Sequence, residues 1–185
     1  VYKSLPEYRR GFFTLLRDSL DRHGVTLDLV HGDPTGSEKL KRDSVEIDWA
    51  VRRPNYSMQF GKRHVVWQSI LDVVRQADLI IVKQESKLLI NYLLLARQLL
   101  GRGSRVAFWG HGANLQSHRA SRVAEMLKRR YSLLPHWWFA YTEGSRERVE
   151  KLGYPPDRIT VVQNAIDTSS LRAQIAAISR VQLDR

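Results

Sequence analysis

Two textures alternate along this chain, and the alternation limits the folds open to it. Short, β-branched apolar runs occupy residues 26–30, 78–82, 105–109, 137–141 and 159–162. Longer stretches with apolar residues at helical spacing cover 7–22, 63–76, 86–101, 117–134, 143–152 and 168–182. Runs that are apolar throughout suit strands buried on both faces, as in a parallel sheet with helices on each side. Strand and helix in close alternation predict an α/β, Rossmann-like, doubly wound domain with a mainly parallel sheet. Punctuation agrees: Gly24, Gly101 and Gly153 follow predicted helices as stops, and Ser86, Ser117 and Thr142 stand where helix starts need caps. Val1, Tyr2 and Lys3 read as part of a first strand, while 32–62 reads as loops around one short strand near 45–51.

With 185 residues the chain can build one domain with a full core. The absence of cysteine excludes disulfides and thiolate metal sites and fits a reducing cytoplasm. The longest apolar run, 88–100, contains Asn91, Arg97 and Gln98, and is shorter than the ~20 residues of a membrane span. A formal charge of +11 points toward anionic partners: nucleic acid, an anionic membrane or a phosphorylated small molecule. The basic residues come in pairs spread through folded segments, not in a tail.

Doubly wound sheets bind ligands where the carboxyl ends of their strands open into a crevice. That rule selects the loops at 4–10, 31–36, 83–86, 110–114, 142–145 and 163–168. One of them lies within "FWGHGAN" (108–114), where His111 stands between Gly110 and Gly112 at the end of an apolar strand. The glycines permit positive φ and close backbone approach, and the imidazole can donate or accept at a fixed point. A plain turn residue fits the same pattern. Metal binding is disfavoured, because the histidines show neither HExxH nor i, i+4 pairing, and no dinucleotide or Walker A loop is present.

On a helical wheel of 117–134, Ala120, Val123, Leu127, Tyr131 and Leu134 share one arc, and Arg119, Arg122, Arg129 and Arg130 share its neighbour, with Met126 among them. A basic strip beside an apolar one suits an anionic bilayer, and it also describes an ordinary solvated helix. Glu143 at a helix start has capping as its simplest role, and Asn164 and Asp167 can serve only to shape a turn. The apolar positions of the last helix, Leu171, Ile175, Ile178 and Leu183, need cover from this domain or a following one.

Together these segments carry a resemblance. "YTEGSRERVEKLG" (141–153) followed by "PDRITVVQNAIDT" (156–168) resembles the end of the N-terminal domain of family 4 glycosyltransferases, with Asn164-Ala165-Ile166-Asp167 in the place of the family's "NGvD" and Ala165 where glycine is usual. "LPEYRRGFF" (5–13) is similar to the first strand-to-helix loop of a subset of that family, and Gly110-His111-Gly112 falls at its active-site histidine loop. The resemblance implies one half of a GT-B fold: residues 1–168 as the acceptor-side domain and 169–185 as a linker helix toward a C-terminal nucleotide-sugar domain, whose Glu-x7-Glu motif does not occur here in a suitable context. It implies a retaining hexosyl-type transfer from a nucleotide-sugar to a saccharide or glycolipid acceptor, with no cofactor, no essential metal and no nucleic acid. His111 is then the catalytic group. Tyr8, Arg9 and Arg10 contact the acceptor or the donor diphosphate, with Gly110, Gly112, Glu143 and Asn164 completing the cleft. Arg119, Arg122, Arg129 and Arg130 are candidates to face the inner surface of a membrane, in a cytoplasmic enzyme. The alternative from another class is a non-catalytic basic Rossmann-like module that binds a phosphorylated ligand or nucleic acid.

Overall fold

The computed structural model describes residues 1–35, 40, 43–61, 63–112, 122–163, 168, 172–173 and 175–176. In chain order the elements are α1 (Arg10–Asp21), β1 (Val30–His31), β2 (Val51–Arg52), β3 (Asn55–Phe60), β4 (Arg63–Gln68), α2 (Leu71–Val74), β5 (Leu79–Lys83), α3 (Leu89–Leu99), β6 (Arg105–Gly110), α4 (Arg122–Ser132), β7 (Trp137–Ala140), α5 (Glu143–Lys151) and β8 (Ile159–Val161). Strands β5, β6, β7 and β8 pair in that order, all parallel. Helices separate them, as a parallel crossover requires.

Residues 1–3 extend this sheet toward the parallel pair β1–β2. The Tyr2 amide donates to Val30 O at 2.8 Å, the Gly32 amide donates to Tyr2 O at 3.1 Å, and the Val1 amine reaches Ile81 O at 2.7 Å. The spatial order is therefore β2, β1, residues 1–3, β5, β6, β7, β8. Strand order reverses between residues 1–3 and β5. In a doubly wound sheet, a crevice opens at such a reversal, at the carboxyl ends of the flanking strands.

Alternate strand residues feed two cores. Phe108, Trp138 and Ala140 join Val82, Val106, Leu94, Leu95 and Val149 in one cluster, while Trp109 and Tyr141 join Tyr2, Leu5, Phe13 and Leu29 in the other. A period of two that is apolar on both faces is what the continuous runs predicted. Phe108 and Trp138, both fully buried, meet edge to face with centroids 5.4 Å apart, and truncating either costs about 3–5 kcal/mol.

Three expectations need correction. Residues 63–76 do not form a helix: β4 pairs antiparallel with β3 from Asn55↔Gln68 to Phe60↔Arg63, and only Leu71–Val74 is helical. The β-branched pair Val65-Val66 and the turn glycine Gly61, at φ +58°, favour a hairpin, and Val66 and Gln68 are buried as its anchor. The same hairpin replaces the loops read at 53–60. The runs at 26–30 and 45–51 contribute only the two-residue strands β1 and β2, because the parallel pairing reaches no further. Lastly, α3 starts after Leu88 with no side-chain cap, so Ser86 does not cap it.

Other signals hold. Thr142 accepts the Ser145 amide at 3.2 Å and caps α5. Gly24, Gly101 and Gly153 take positive φ at helix ends. Among the described residues no helix is long and apolar enough to cross a membrane.

Candidate functional site

A crevice of about 280 Å³ opens at the strand-order reversal, lined by Tyr8 and Arg9 from the loop after residues 1–3, Lys83, Gln84 and Glu85 after β5, Trp109, Gly110 and His111 at the end of β6, and Tyr141 after β7. A larger cavity of about 390 Å³ lies at the amino ends of β5 and β6, between Arg75, Asp78, Arg97, Arg102 and Arg105. Topology favours the smaller one, since three strand ends and their loops converge on it.

His111 leaves β6 with its ring against Tyr141, centroids 4.5 Å apart. Partial burial, then the charges of Arg148 and Lys83, hold its pKa below the ordinary 6.5. The imidazole is therefore neutral at pH 7, with one nitrogen to donate and one to accept.

Arg9 is buried at 3% exposure. It ends the 3-10 turn Glu7–Arg9, whose last amide donates to Pro6 O at 3.0 Å. Leu5 and Phe13, buried on either side, hold that turn against the sheet. The guanidinium carbon lies 5.3 Å from the Tyr8 ring centroid, 5.7 Å from Phe12, 5.8 Å from Tyr141 and 6.0 Å from Trp109. A cation among four ring systems is attracted by their quadrupoles. Across the crevice Lys83 Nζ and Lys87 Nζ each lie 3.2 Å from a Glu85 carboxylate oxygen. Burial raises the Glu85 pKa, and the two ammonium groups outweigh it, so the net shift is downward. The lining side chains thus carry two positive charges, Arg9 and Lys83, against one negative, Glu85.

The glycines around His111 serve packing first. A Cβ on Gly110 would lie 3.0 Å from Gln84 Cβ. Gly112, at φ +74°, would place a Cβ 2.6 Å from Val149 Cγ2 and 3.0 Å from Ser145 O. The Gly112 amide already donates to Gln84 Oε1 at 3.2 Å. These are constraints from the neighbouring loop and from α5, where the sequence suggested close approach of a ligand.

The structure brings Tyr8, Arg9, Gly110 and His111 together and leaves other expected residues apart. Arg10 is exposed, with its Nε 3.0 Å from Glu7 Oε1, and does not line the crevice. Glu143 is exposed in the first turn of α5, outside the lining. Gly112 packs behind His111, against α5. Arg129 donates to Leu152 O at 3.0 Å, at the carboxyl end of α5. Arg130 is exposed, as are Met126 and Leu127. Asn164, Arg119, Ser117, Ala120, Leu171, Ile178 and Leu183 lie outside the described residues, as do the side chains of Arg122 and Val123. Sequence reasoning selected the loop at 83–86 but gave no role to Lys83, Gln84 or Glu85. It treated Trp109 and Tyr141 as strand residues only, though each stands at a strand's carboxyl end.

Against known proteins, the chain matches the family model described as Glycosyltransferase Family 4 over residues 12–170. The match takes in the strand ends that supply Lys83 to Tyr141 and begins after Tyr8 and Arg9. No curated protein matches the chain.

Proposed function

The chain belongs to glycosyltransferase family 4, and from that premise we propose that residues 1–168 form the acceptor-binding domain of a retaining enzyme. That enzyme moves a hexosyl unit from a nucleotide-sugar to a saccharide or glycolipid acceptor. Residues 169–185 lead toward a second domain that holds most of the donor. The observation that carries this reading is the crevice itself, where a neutral imidazole and a ring-held guanidinium face one space at the strand-order reversal.

In the reaction the bond from the anomeric carbon to the diphosphate oxygen breaks and a bond to the acceptor oxygen forms. Negative charge grows on the departing diphosphate, which takes up the proton that the acceptor hydroxyl loses. His111 places a hydrogen bond on the donor sugar or the acceptor as charge develops. Arg9 stabilises the anionic side of the transfer, and Tyr8 contacts the acceptor. Glu143 and Asn164 are further candidates for substrate contact. The nucleotide-sugar is a substrate, and the reaction uses no resident cofactor.

In the enzyme that contains this chain, His111→Ala lowers turnover by orders of magnitude with the fold intact. An unchanged rate removes His111 from the site. Turnover of a nucleotide-sugar by the 185-residue chain alone would overturn the two-domain reading.

A membrane-facing role for α4 is supported by Met126 and Leu127, exposed at 53% and 59% beside Arg130. An enzyme working at the cytoplasmic face on a glycolipid would dock through that surface. Flotation with liposomes containing anionic lipid tests it, and failure to float at low salt removes the proposal.

A further inference from the structure

We propose that Gln84 is a positioning residue: it sets the His111 loop and ties that loop to the end of α4. The inference rests on His111 acting in the crevice. Gln84 follows β5, and its backbone amide donates to Trp109 O at 3.1 Å, continuing the β5–β6 ladder by one step. Its side chain then reaches past the strand end in two directions. Oε1 accepts the Gly112 amide at 3.2 Å, and Nε2 donates to Ser132 Oγ at 3.1 Å. The Gly112 N–H can only donate, so the carboxamide oxygen must face it and the nitrogen must face Ser132.

One side chain therefore braces the residues on both sides of His111. On the near side, Gly110 has no Cβ where one would press on Gln84 Cβ at 3.0 Å and Oε1 at 3.2 Å. On the far side, Gly112 is held between Gln84 and Val149. With both neighbours fixed, the backbone of His111 has little freedom, and its ring stays against Tyr141. Since the Gly112 amide is committed to Gln84, the chemistry falls to the imidazole and not to an exposed Gly112 N–H. The second arm ends on Ser132, the last residue of α4 and itself buried. A displacement of α4 would pull on Gln84 and so on the His111 loop. In a protein interior, such contacts transmit small shifts because packing leaves no slack.

The test is carried out in the enzyme containing this chain. Gln84→Met keeps the length and removes both hydrogen bonds. We expect turnover to fall about tenfold with KM little changed, the scale of one lost hydrogen bond in the transition state. The Gly112 amide resonance should shift and exchange faster, and the His111 ring should titrate closer to 6.5. Ser132→Ala, which leaves the Gly112 bond in place, should move all three readouts the same way by less. The double variant should be no worse than Gln84→Met, because both act through one side chain. Unchanged turnover in Gln84→Met, alongside loss in His111→Ala, would overturn the proposal. So would a loss of turnover with the Gly112 and His111 signals unmoved. An unchanged rate in His111→Ala overturns instead the reading of the site itself, while the Gly112 amide still reports whether Gln84 braces the loop.

Discussion

The His111 imidazole lies against the Tyr141 ring with centroids 4.5 Å apart and planes at 47°. The contact joins the ends of β6 and β7, which are neighbours in the sheet but thirty residues apart in the chain. It shields one face of the imidazole from water, and burial is the largest cause of its lowered pKa. Tyr141→Ala should let water in and raise that pKa, and Lys83→Met should raise it by removing a like charge. Titration of the ring by NMR checks both directions.

A lowered pKa also sets a pH window. The folded state favours the neutral ring, so protonation opposes folding, and the stability tied to this group is lost as pH falls below 6.5. If the neutral imidazole is the working form, turnover falls in the same direction, with its midpoint below 6.5. A midpoint above 6.5 in kcat would exclude His111 as the titrating group.

Glu85 titrates with the opposite logic. Its pKa is depressed in the fold, so its contribution is present above the ordinary 4.5 and lost as pH falls through the lower folded value. Glu85→Gln should therefore flatten the acid limb of the stability curve, measured as Tm between about pH 5 and pH 3. It should also loosen Lys83 and Lys87, both paired to Glu85 at 3.2 Å.

Gly112 and Gly24 share a backbone conformation, with φ +74° and +69°, yet differ in surroundings. Nothing lies within 4 Å of a Cβ on Gly24, so Gly24→Ala should cost only the left-handed strain, about 1 kcal/mol. Gly112→Ala adds a clash with Val149 and Ser145 O and should cost about 2–4 kcal/mol. Denaturant midpoints of the two variants separate strain from clash.

Arg9 poses the reverse case, a buried charge that lines the crevice. Arg9→Met keeps the volume among Tyr8, Phe12, Trp109 and Tyr141 and removes the desolvated cation. Turnover should drop at least about tenfold, the loss of one charge-assisted contact, with the variant still folded by its denaturant midpoint. A parallel fall in both would mean that Arg9 serves the core alone. Arg9→Lys should not rescue turnover, since an ammonium lacks the flat face the rings hold.

The parallel strands β5 to β8 and the helices between them were legible because burial on both faces leaves an unbroken apolar run. So were Thr142 as a cap and Gly24, Gly101 and Gly153 as stops, because those roles depend on a few neighbouring residues. The hairpin β3–β4 was not legible. Val65, Val66 and Trp67 side by side fit either period, and the partner strand that settles the matter lay in a stretch read as loop. His111 stood out through its glycines, and Arg9 through a loop pattern. Gln84 and Glu85 carried no local mark, since each acts on residues that only folding brings near.

Fold class, and through the strand-end rule the loops that could hold a site, were written in local pattern. Burial on both faces and local backbone preference act over a few residues, so they leave their trace in the chain. Tertiary structure alone decided which side chains share the crevice. Residues 1–3 lie beside β5 after a separation of some eighty residues, and that adjacency sets Arg9 among the rings facing His111 and leaves Arg10 outside. It also gave the glycines of "FWGHGAN" their meaning: their missing side chains make room for Gln84 and Val149, a relation between distant segments that no local pattern records.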